Sequence, residues 1–454
     1  MMWKCPNNEV KVMSRKVGMI SLGCPKNQID AEIMLKKLTD AGYILVQEAD
    51  KADVVIVNTC GFIEDSKKES IDAILEMVDY KDDSLLSKIV VTGCLAQRYA
   101  DEIFAEIPEV DAVVGIGAND DIVAVCDALF ESNEPYSAFP EKENLPLEGG
   151  RILTTPKYTA YLKIAEGCSN CCSYCAIPSI RGAFRSRAME SIIDEAKMLC
   201  EKGVKELILV AQDTTKYGED IYGKLALPEL LGELNKIDGL QWIRLLYCYP
   251  DKITDELIEA IAVNEKVCHY IDMPMQHADG EILKAMNRKG DKESLLALVE
   301  KIRARIPDVV LRTTFITGFP GETDDAFTTL SEFVNEAKLD RVGCFAYSRE
   351  ESTPAYDFDN QVDPEIASSR AEAIMTQQYT ISEEKLESCI GKTFDVLVEG
   401  YDPYTDSYYG RTYMDAPDID NNVILTSGYR IDDGDIVPVE IFDKDEYALI
   451  GEAV

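Results

Sequence analysis

Histidine is almost absent from the sequence: His269 and His277 are the only two in 454 residues. A mononuclear metal site built mainly from imidazole is therefore not expected. Long apolar runs are absent too, since none approaches the roughly 18 residues that span a bilayer, and residues 1–12 lack the apolar core of a secretion signal. We therefore expect a cytoplasmic protein with no membrane segment.

Basic residues are scarce relative to acidic ones. The chain has 46 lysines and arginines against 83 aspartates and glutamates, which gives a formal net charge of −37 at pH 7. A field of that sign repels nucleic acid phosphates and attracts basic partners. Nucleic acid is thus a disfavoured partner unless a local basic patch overrides the total, although solubility or a salty habitat would explain the acidity equally well.

Cysteine, in contrast, is abundant. The fourteen cysteines are bunched in a large chain that lacks a secretion signal, which favours reduced thiolates over a disulfide framework. Soft thiolate ligands favour zinc, copper(I) or iron–sulfur clusters. The sequence therefore predicts metal binding or thiol chemistry.

The length of the chain allows two or three domains. Residues 16–135 alternate continuous β-branched runs with amphipathic segments, which predicts an α/β domain with a doubly wound parallel sheet. Cys24, Cys60 and Cys94 each stand at the predicted carboxyl end of a strand. That edge is where ligands bind in open α/β sheets.

The rest of the chain divides into four segments. Residues 136–157 hold three prolines and two glycines without periodicity, and we interpret them as a linker. Residues 158–360 contain six predicted strands with helical segments between them, which predicts a partial (β/α)6 barrel with its chemistry at the strand carboxyl ends. Residues 361–390 are a predicted helical connector. Residues 391–454 contain five short strands that predict a small antiparallel β-barrel of the OB type.

Four cysteines crowd the loop after the first predicted barrel strand. Cys168, Cys172 and Cys175 form a CxxxCxxC pattern, with Tyr174 directly before the last cysteine. Three thiolates on one loop can hold three irons of a four-iron four-sulfur cluster and leave the fourth iron open to a substrate. The alternatives are a structural zinc with Cys171 as its fourth ligand, or a chance group of buried thiols.

This CxxxCx(aromatic)C loop, after the first strand of a six-stranded partial barrel, resembles the mark of the radical SAM superfamily. The resemblance implies a 4Fe–4S cluster held by Cys168, Cys172 and Cys175. It also implies that the open iron binds the amino and carboxylate groups of S-adenosylmethionine. Cys171 is extra to the pattern, and no role is expected for it.

Cys24, Cys60 and Cys94 call for a joint interpretation. Singly, each is more often a buried apolar residue than a ligand. Jointly, three cysteines at equivalent strand ends make coincidence much less plausible. Three thiolates from three loops can hold a second cluster with an open iron.

The combination resembles the methylthiotransferase family over residues 17–454. That family has an N-terminal α/β domain with three separated cysteines, a radical SAM core and a small C-terminal barrel called TRAM. The resemblance implies two 4Fe–4S clusters, S-adenosylmethionine as radical source and methyl donor, an external electron donor and a sulfide source. Because the cofactors carry the chemistry, no side chain is assigned a catalytic role.

Further segments look like later motifs of this family, at residues 212–218, 273–290, 314–323 and 345–356. The candidate contacts to cofactor or substrate are Tyr174, Gln212, Arg244, Arg312, Gly318 and Gly321. Each also has a structural alternative. Gln212 suits a helix cap or the barrel rim, the glycines suit turns, and an arginine inside an apolar strand requires a carboxylate or a bound ligand as partner.

The family divides by substrate, which is an aspartate β-carbon of ribosomal protein S12 in some members and a tRNA adenosine in others. Residues 21–27 (SLGCPKN) and 212–218 (QDTTKYG) resemble the ribosomal-protein branch. Residues 391–454 carry 15 acidic and 4 basic residues, which suits a basic ribosomal protein, whereas a tRNA enzyme would show lysine and arginine there. S12 is therefore the expected substrate. The alternatives are tRNA and a non-catalytic iron–sulfur or zinc scaffold.

Overall fold

The computed structural model describes residues 14–83 and 85–454. The chain forms two compact units, Met1–Ile152 and Leu153–Val454. Within the described part of the chain, no helix combines the length and the apolar character needed to cross a bilayer.

The first unit contains a six-stranded, fully parallel sheet with strand order β2-β1-β3-β4-β5-β6. Its strands are β1 (Lys16–Ser21), β2 (Ile44–Leu45), β3 (Val54–Thr59), β4 (Lys88–Gly93), β5 (Ala112–Val114) and β6 (Tyr136–Ala138). Its helices are α1 (Pro25–Asp40), α2 (Glu64–Asp83), α3 (Cys94–Arg98), α4 (Ala100–Glu106) and α5 (Ile122–Glu131). Short 3-10 helices lie at Ala49–Lys51, Ile116–Asp121 and Lys142–Asn144.

Both faces of this sheet are buried. Along β3, Val54 and Ile56 join one apolar cluster while Val55 and Val57 join another, because successive side chains of a strand point to opposite faces. Helices α1 and α5 cover the first cluster, and α2, α3 and α4 cover the second. The predicted doubly wound parallel sheet is confirmed.

The segment interpreted as a linker is partly structured. Strand β6 pairs in parallel with β5 and adds a sixth strand beyond residue 135. Further along, the Arg151 guanidinium donates to the Glu32 carboxylate at 3.0 Å, and both side chains are buried. Residues 136–151 therefore pack onto the first unit and do not form an independent linker.

The second unit begins with a six-stranded parallel sheet of order β14-β13-β12-β11-β10-β7, and a two-stranded antiparallel pair, β8 with β9, lies beside it. These strands are β7 (Thr159–Lys163), β8 (Ala165–Glu166), β9 (Arg185–Ser186), β10 (Glu206–Val210), β11 (Trp242–Leu245), β12 (Val267–Asp272), β13 (Val310–Thr317) and β14 (Arg341–Ala346). The six parallel strands confirm the predicted partial barrel.

The helices between β8 and residue 364 are α6 (Ile177–Arg181), α7 (Met189–Glu201), α8 (Glu219–Tyr222), α9 (Leu227–Leu234), α10 (Asp255–Val263), α11 (Gly280–Ala285), α12 (Lys292–Arg305) and α13 (Asp324–Ala337). Of these, α7 and α9 to α13 contribute apolar side chains to one large core against the sheet. Short 3-10 helices lie at Thr214–Lys216, Pro250–Lys252 and Pro354–Asp357. Several of the helices start at side-chain caps, among them Thr254, Asp279, Asp291 and Thr323.

A long helix, α14 (Pro364–Glu387), leads to the C-terminal barrel. The barrel is closed in the order β15-β16-β17-β19-β18. Its strands are β15 (Thr393–Asp402), β16 (Ser407–Arg411), β17 (Asn422–Thr426), β18 (Ile436–Lys444) and β19 (Ala448–Ala453). The five predicted strands are confirmed, but β17 and β19 pair in parallel, so the barrel is not antiparallel throughout.

Buried ion pairs join the partial barrel to the C-terminal barrel. The Glu206 carboxylate accepts from Arg244 Nε at 2.8 Å and from Arg411 Nη2 at 2.7 Å, and all three side chains are buried. Arg244 also donates to the carbonyl oxygen of Tyr413 at 2.6 Å. Burial raises the pKa of Glu206, but Arg411 and Arg244 lower it more, and the net pKa is about 2.

The two strand arginines are predicted as candidate cofactor or substrate contacts; the structure pairs both with carboxylates of the protein, and a ligand contact of either stays a prediction. The donors of Arg244 are used by Glu206 and the C-terminal barrel. Arg312 donates to Asp272 at 2.9 Å and lies 3.4 Å from the Asp420 carboxylate. A buried guanidinium needs a countercharge, and carboxylates of the protein supply it here.

We expect Glu206→Gln to lower the free energy of unfolding by about 3–5 kcal/mol, because two buried arginines lose their shared countercharge. Urea denaturation of the full-length protein at pH 7 measures this loss. Because the folded pKa of Glu206 lies below its ordinary value of 4.5, its contribution is present above pH 4.5. It is lost as the pH falls from there towards 2.

Glu259→Gln is the matched control. Glu259 accepts from Arg305 at 2.7 Å, but both side chains are exposed to solvent. Exposed pairs of this kind contribute little to stability, so no measurable change is expected. Equal losses in the two variants would contradict the role given to the buried cluster.

Candidate functional site

The three N-terminal cysteines lie at one edge of the first sheet. Cys24 is the N-cap of α1 and follows β1, Cys60 follows β3 directly, and Cys94 follows β4 as the first residue of α3. Strands β1, β3 and β4 are consecutive neighbours in the sheet. Their carboxyl ends therefore bring three cysteine loops side by side at the edge where open α/β sheets bind ligands.

Two glycines allow these loops to touch. A Cβ atom added to Gly23 would lie 2.8 Å from Cys60 Sγ, and one added to Gly61 would lie 2.7 Å from the Cα of Leu95, the residue after Cys94. Both distances are too short for a real contact. The loops of Cys24, Cys60 and Cys94 are thus in direct contact only because glycine stands beside the first two cysteines.

Hydrogen bonds hold the same edge in place. Ser70 Oγ donates to the carbonyl oxygen of Cys60 at 2.8 Å and accepts from the N–H of Cys60 at 3.0 Å. Asn27 Nδ2 donates to the carbonyl oxygen of Leu22 at 2.7 Å, and Asn58 Nδ2 donates to that of Asn27 at 2.8 Å. These bonds fix the cysteine positions before any ligand binds.

The second group of cysteines occupies the loop that follows β8. The N–H of Cys168 donates to the carbonyl oxygen of Gly182 at 3.1 Å, and the N–H of Cys175 donates to that of Cys172 at 3.0 Å. Gly167 begins the loop with a φ of 73°, and a Cβ there would lie 2.2 Å from the Ala183 carbonyl oxygen. Only glycine fits at this position.

The thiols of this loop are close enough to influence one another. Burial, with a smaller contribution from the neighbouring Cys172, raises the pKa of Cys168 to about 11 and that of Cys175 to about 12. Thiols with such pKa values carry protons at neutral pH. Iron binding would therefore release protons from this loop.

Among the described residues, no three His, Cys, Asp or Glu side chains converge on a single metal ion. A four-iron cluster does not require such convergence, because each thiolate binds a different iron. Three cysteines on one tight loop, and three on adjacent loops of a sheet edge, both fit that type of ligand.

The cysteine loop is attached to the end of α11. The N–H of Ser173 donates to the Met286 carbonyl oxygen at 3.0 Å, and Ser173 Oγ donates to that of Ala285 at 2.8 Å. Asn287 has a φ of 58° and donates through Nδ2 to the Cys171 carbonyl oxygen at 2.9 Å. The loop and the helix end therefore form one rigid element.

Two residues beside Cys172 were not predicted as part of the site. Tyr249 Oη lies 2.9 Å from Cys172 Sγ, and Arg288 Nη1 lies 3.7 Å from the same sulfur. Arg288 stands within residues 273–290, which look like a family motif, but nothing local assigns it a role. The only sequence signal for Tyr249 is its position shortly after β11.

Gln212 lies at the carboxyl end of β10, beside a buried carboxylate. Glu166 accepts from Gln212 Nε2 at 3.0 Å, from Lys163 Nζ at 3.2 Å and from Arg181 Nη1 at 3.0 Å. Burial raises the pKa of Glu166, but Arg181 and Lys163 lower it more, and the net pKa is below its ordinary value. Gln212 Oε1 is buried and has no hydrogen-bond partner among the described residues.

The remaining candidates have local structural roles. A Cβ on Gly318 would lie 2.1 Å from Ala367 Cβ, so glycine there lets α14 approach the end of β13. The N–H of Gly321 donates to the carbonyl oxygen of Asn360 at 2.9 Å, which ties the segment after β13 to the segment before α14. Tyr174 is partly buried beside the cysteines, with its hydroxyl oxygen 3.5 Å from Arg288 Nη1. A cofactor contact of these three residues stays a prediction.

Three family models match the chain. Residues 16–115 match the model described as uncharacterized protein family UPF0004, residues 162–334 match the radical SAM superfamily, and residues 390–454 match the TRAM domain. The radical SAM match contains the Cys168–Cys175 loop, and the first match contains Cys24, Cys60 and Cys94.

Curated relatives match nearly the full chain. The ribosomal protein uS12 methylthiotransferase RimO of Clostridioides difficile (strain 630) is 51% identical over 97% of this chain and 99% of its own length. The protein of the same name from Acetivibrio thermocellus is 49% identical over 97% and 99%. The chain belongs to the RimO family. The predicted resemblance to methylthiotransferases of the ribosomal-protein branch is confirmed.

Solved structures agree with the RimO-family assignment at the level of fold. TsrM from Kitasatospora setae, a radical S-adenosylmethionine methyltransferase with cobalamin and a [4Fe-4S] cluster bound, aligns with a TM-score of 0.57. The alignment covers 84% of this chain and 77% of TsrM at 14% sequence identity. Such low identity supports a shared fold only.

For this RimO-family chain, we expect Gly61→Ala to reduce iron binding at the N-terminal cysteines. The new Cβ would lie 2.7 Å from the Leu95 Cα and would force the Cys60 and Cys94 loops apart. Iron and sulfide should fall from about eight to about four per chain after anaerobic reconstitution.

Gly149→Ala serves as the control in the same unit, because its Cβ would meet Ile33 only at an ordinary contact distance of 3.4 Å. It should keep the full iron content. Full iron content in Gly61→Ala would contradict the requirement for glycine between the Cys60 and Cys94 loops.

Proposed function

We propose that this protein is a radical S-adenosylmethionine methylthiotransferase that puts a methylthio group on the β-carbon of an aspartate in ribosomal protein uS12, in the cytoplasm. The observation that carries the proposal is the pair of cysteine triads. One lies on three adjacent strand ends of a parallel sheet, and the other lies on one loop of a partial barrel. Identity of 51% and 49% to two RimO proteins over 97% of the chain supports the assignment of uS12 as the substrate.

The cysteines would hold two 4Fe–4S clusters, one on Cys24, Cys60 and Cys94 and the other on Cys168, Cys172 and Cys175. When bound, the clusters and S-adenosylmethionine supply hydrogen abstraction, sulfur and the methyl group. An external electron donor and a sulfide source complete the reaction.

The side chains of the partial barrel would bind and orient the cofactor and would exclude water from the site. Cys172 is buried, with the Tyr249 hydroxyl and the Arg288 guanidinium beside its sulfur. We assign Gln212 to S-adenosylmethionine binding, because its buried Oε1 can accept from an amino or hydroxyl group while Glu166 fixes the other end of the amide.

Charge supports a basic protein as the substrate. Residues 391–454 carry a net charge of −11 from 15 acidic and 4 basic residues. Arg411 is buried on Glu206, Arg430 lies 3.0 Å from the Asp432 carboxylate, and Lys444 lies 3.3 Å from that of Glu383. Phosphate groups would find little free positive charge on this barrel, so tRNA is disfavoured.

Cys172→Ala is expected to abolish cleavage of S-adenosylmethionine. The two remaining thiolates, Cys168 and Cys175, are too few to hold the cluster of the partial barrel. The N-terminal cluster should remain, so iron falls from about eight to about four per chain. Anaerobic iron and sulfide analysis and chromatography of 5′-deoxyadenosine measure both effects.

Cys171→Ala is the control on the same loop, since Cys171 is exposed and extra to the motif. It should retain both clusters and full cleavage. If cleavage survives in Cys172→Ala, the site assignment is wrong. Zinc without sulfide in the unaltered protein would support a scaffold protein instead.

Purified uS12 should gain one methylthio group when it is incubated anaerobically with the reconstituted protein, S-adenosylmethionine, sulfide and a chemical reductant. Mass spectrometry of the intact protein and of its peptides detects the gain. A uS12 variant with asparagine at the modified aspartate is the control and should gain nothing. A gain in tRNA nucleosides under the same conditions, with none in uS12, would give the function to the tRNA alternative.

A further inference from the structure

Arg288 is a buried cation beside the cysteine loop. Its side chain is 8% exposed. Nη2 donates to the Pro274 carbonyl oxygen at 2.5 Å, Nη1 lies 3.7 Å from Cys172 Sγ, and the guanidinium carbon lies 4.0 Å from the centre of the Tyr249 ring. The aromatic ring and the peptide oxygen hold the guanidinium plane against the sulfur.

Arg288 lacks the partner that every other buried arginine in the described part of the chain has. Each of the others forms an ion pair with a carboxylate: Arg151 with Glu32, Arg181 with Glu166, Arg187 with Glu195, and Arg244 and Arg411 with Glu206. Within the described residues no carboxylate lies at ion-pair distance from Arg288. A buried charge without a countercharge is costly, so an anion bound beside Arg288 would be stabilised.

The position of Arg288 relative to Cys172 is fixed by the backbone. The N–H of Arg288 donates to the Leu283 carbonyl oxygen at 2.7 Å, which closes the end of α11. The preceding residues of the same turn hold the cysteine loop through Ser173. The cation and the thiol therefore stand on one rigid element.

We propose that Arg288 is the built-in countercharge of the cluster on Cys168, Cys172 and Cys175, and that it raises the reduction potential of that cluster. The inference rests on the proposed function only in that it requires the cluster. Three thiolates make the occupied site anionic, and one-electron reduction adds another negative charge. A fixed cation in a buried site stabilises the reduced state more than the oxidised state.

Arg288 acts through Cys172 and is a positioning residue. A loss of activity alone would not reveal this role, so the reduction potential of the cluster has to be measured. The measurement is an anaerobic redox titration of the full-length protein with dithionite as reductant, followed by electron paramagnetic resonance. Replacing Cys24, Cys60 and Cys94 together with alanine leaves one cluster, so that a single signal is observed. Iron and sulfide are counted on each sample.

In this background, Arg288→Gln should retain about four irons and make reduction at least tenfold less favourable at a given potential. For a one-electron couple, tenfold corresponds to a shift of about 59 mV to more negative values. Arg288→Lys keeps the charge but loses the planar contacts, so a smaller shift in the same direction is expected.

Arg303→Gln is the matched control. Arg303 also donates to main-chain oxygens, those of Ala337 at 2.6 Å and Lys338 at 2.8 Å, and lies 3.8 Å from the Asp340 carboxylate, but it is not hydrogen-bonded to any cysteine of the described residues. It should leave the potential unchanged.

An unchanged potential in a four-iron Arg288→Gln sample overturns the inference. If that variant fails to hold iron, Arg288→Lys decides by the same criterion. Absence of iron and sulfide from the parent sample would instead overturn the proposed function. Because uS12 takes no part in the titration, the result does not depend on the substrate.

Discussion

Parallel strand packing is the constraint on which both candidate sites depend. In a parallel sheet all carboxyl ends reach the same edge, so residues far apart in sequence meet there without further design. Because β1, β3 and β4 are neighbours, Cys24, Cys60 and Cys94 emerge on adjacent loops. The partial barrel follows the same rule. The Cys168–Cys175 loop comes after β7 and β8, and Gln212 comes directly after β10. Inserting one more strand between β1 and β3 would separate Cys24 from Cys60.

Much of this framework could be predicted from the sequence, because long buried strands leave a local pattern. The run VVIVNT of β3 is buried throughout, and a continuous β-branched run of that length predicts a parallel strand. Strand β2 has two residues and β6 has three, so neither is long enough to show the alternation of apolar and polar residues that indicates a strand. Those strands exist only because a neighbouring edge is available for pairing. The parallel pairing of β17 with β19 likewise depends on how the barrel closes and on no local signal.

The site shows the same division between local and distant information. The spacing of Cys168, Cys172 and Cys175 is local, so this group could be predicted as candidate ligands from the sequence. Tyr249 and Arg288 meet Cys172 from 77 and 116 positions away, and no local pattern could indicate that meeting. For Arg244 the sequence predicted the need for a partner, but it could not choose between a carboxylate and a bound ligand. Glu206, 38 positions away, supplies the carboxylate.

The chain has many more acidic than basic residues, so the lack of a carboxylate beside Arg288 in the described part of the chain is unexpected. With 83 aspartates and glutamates against 46 lysines and arginines, a carboxylate partner is not in short supply. The positions around Arg288 are instead taken by Cys172, Tyr174, Tyr249 and a peptide oxygen. A protonated thiol gives a buried guanidinium no countercharge, whereas an iron-bound thiolate does. Under the proposal above, a strongly acidic protein accommodates an anionic cluster by leaving one buried cation, Arg288, without a carboxylate partner among the described residues.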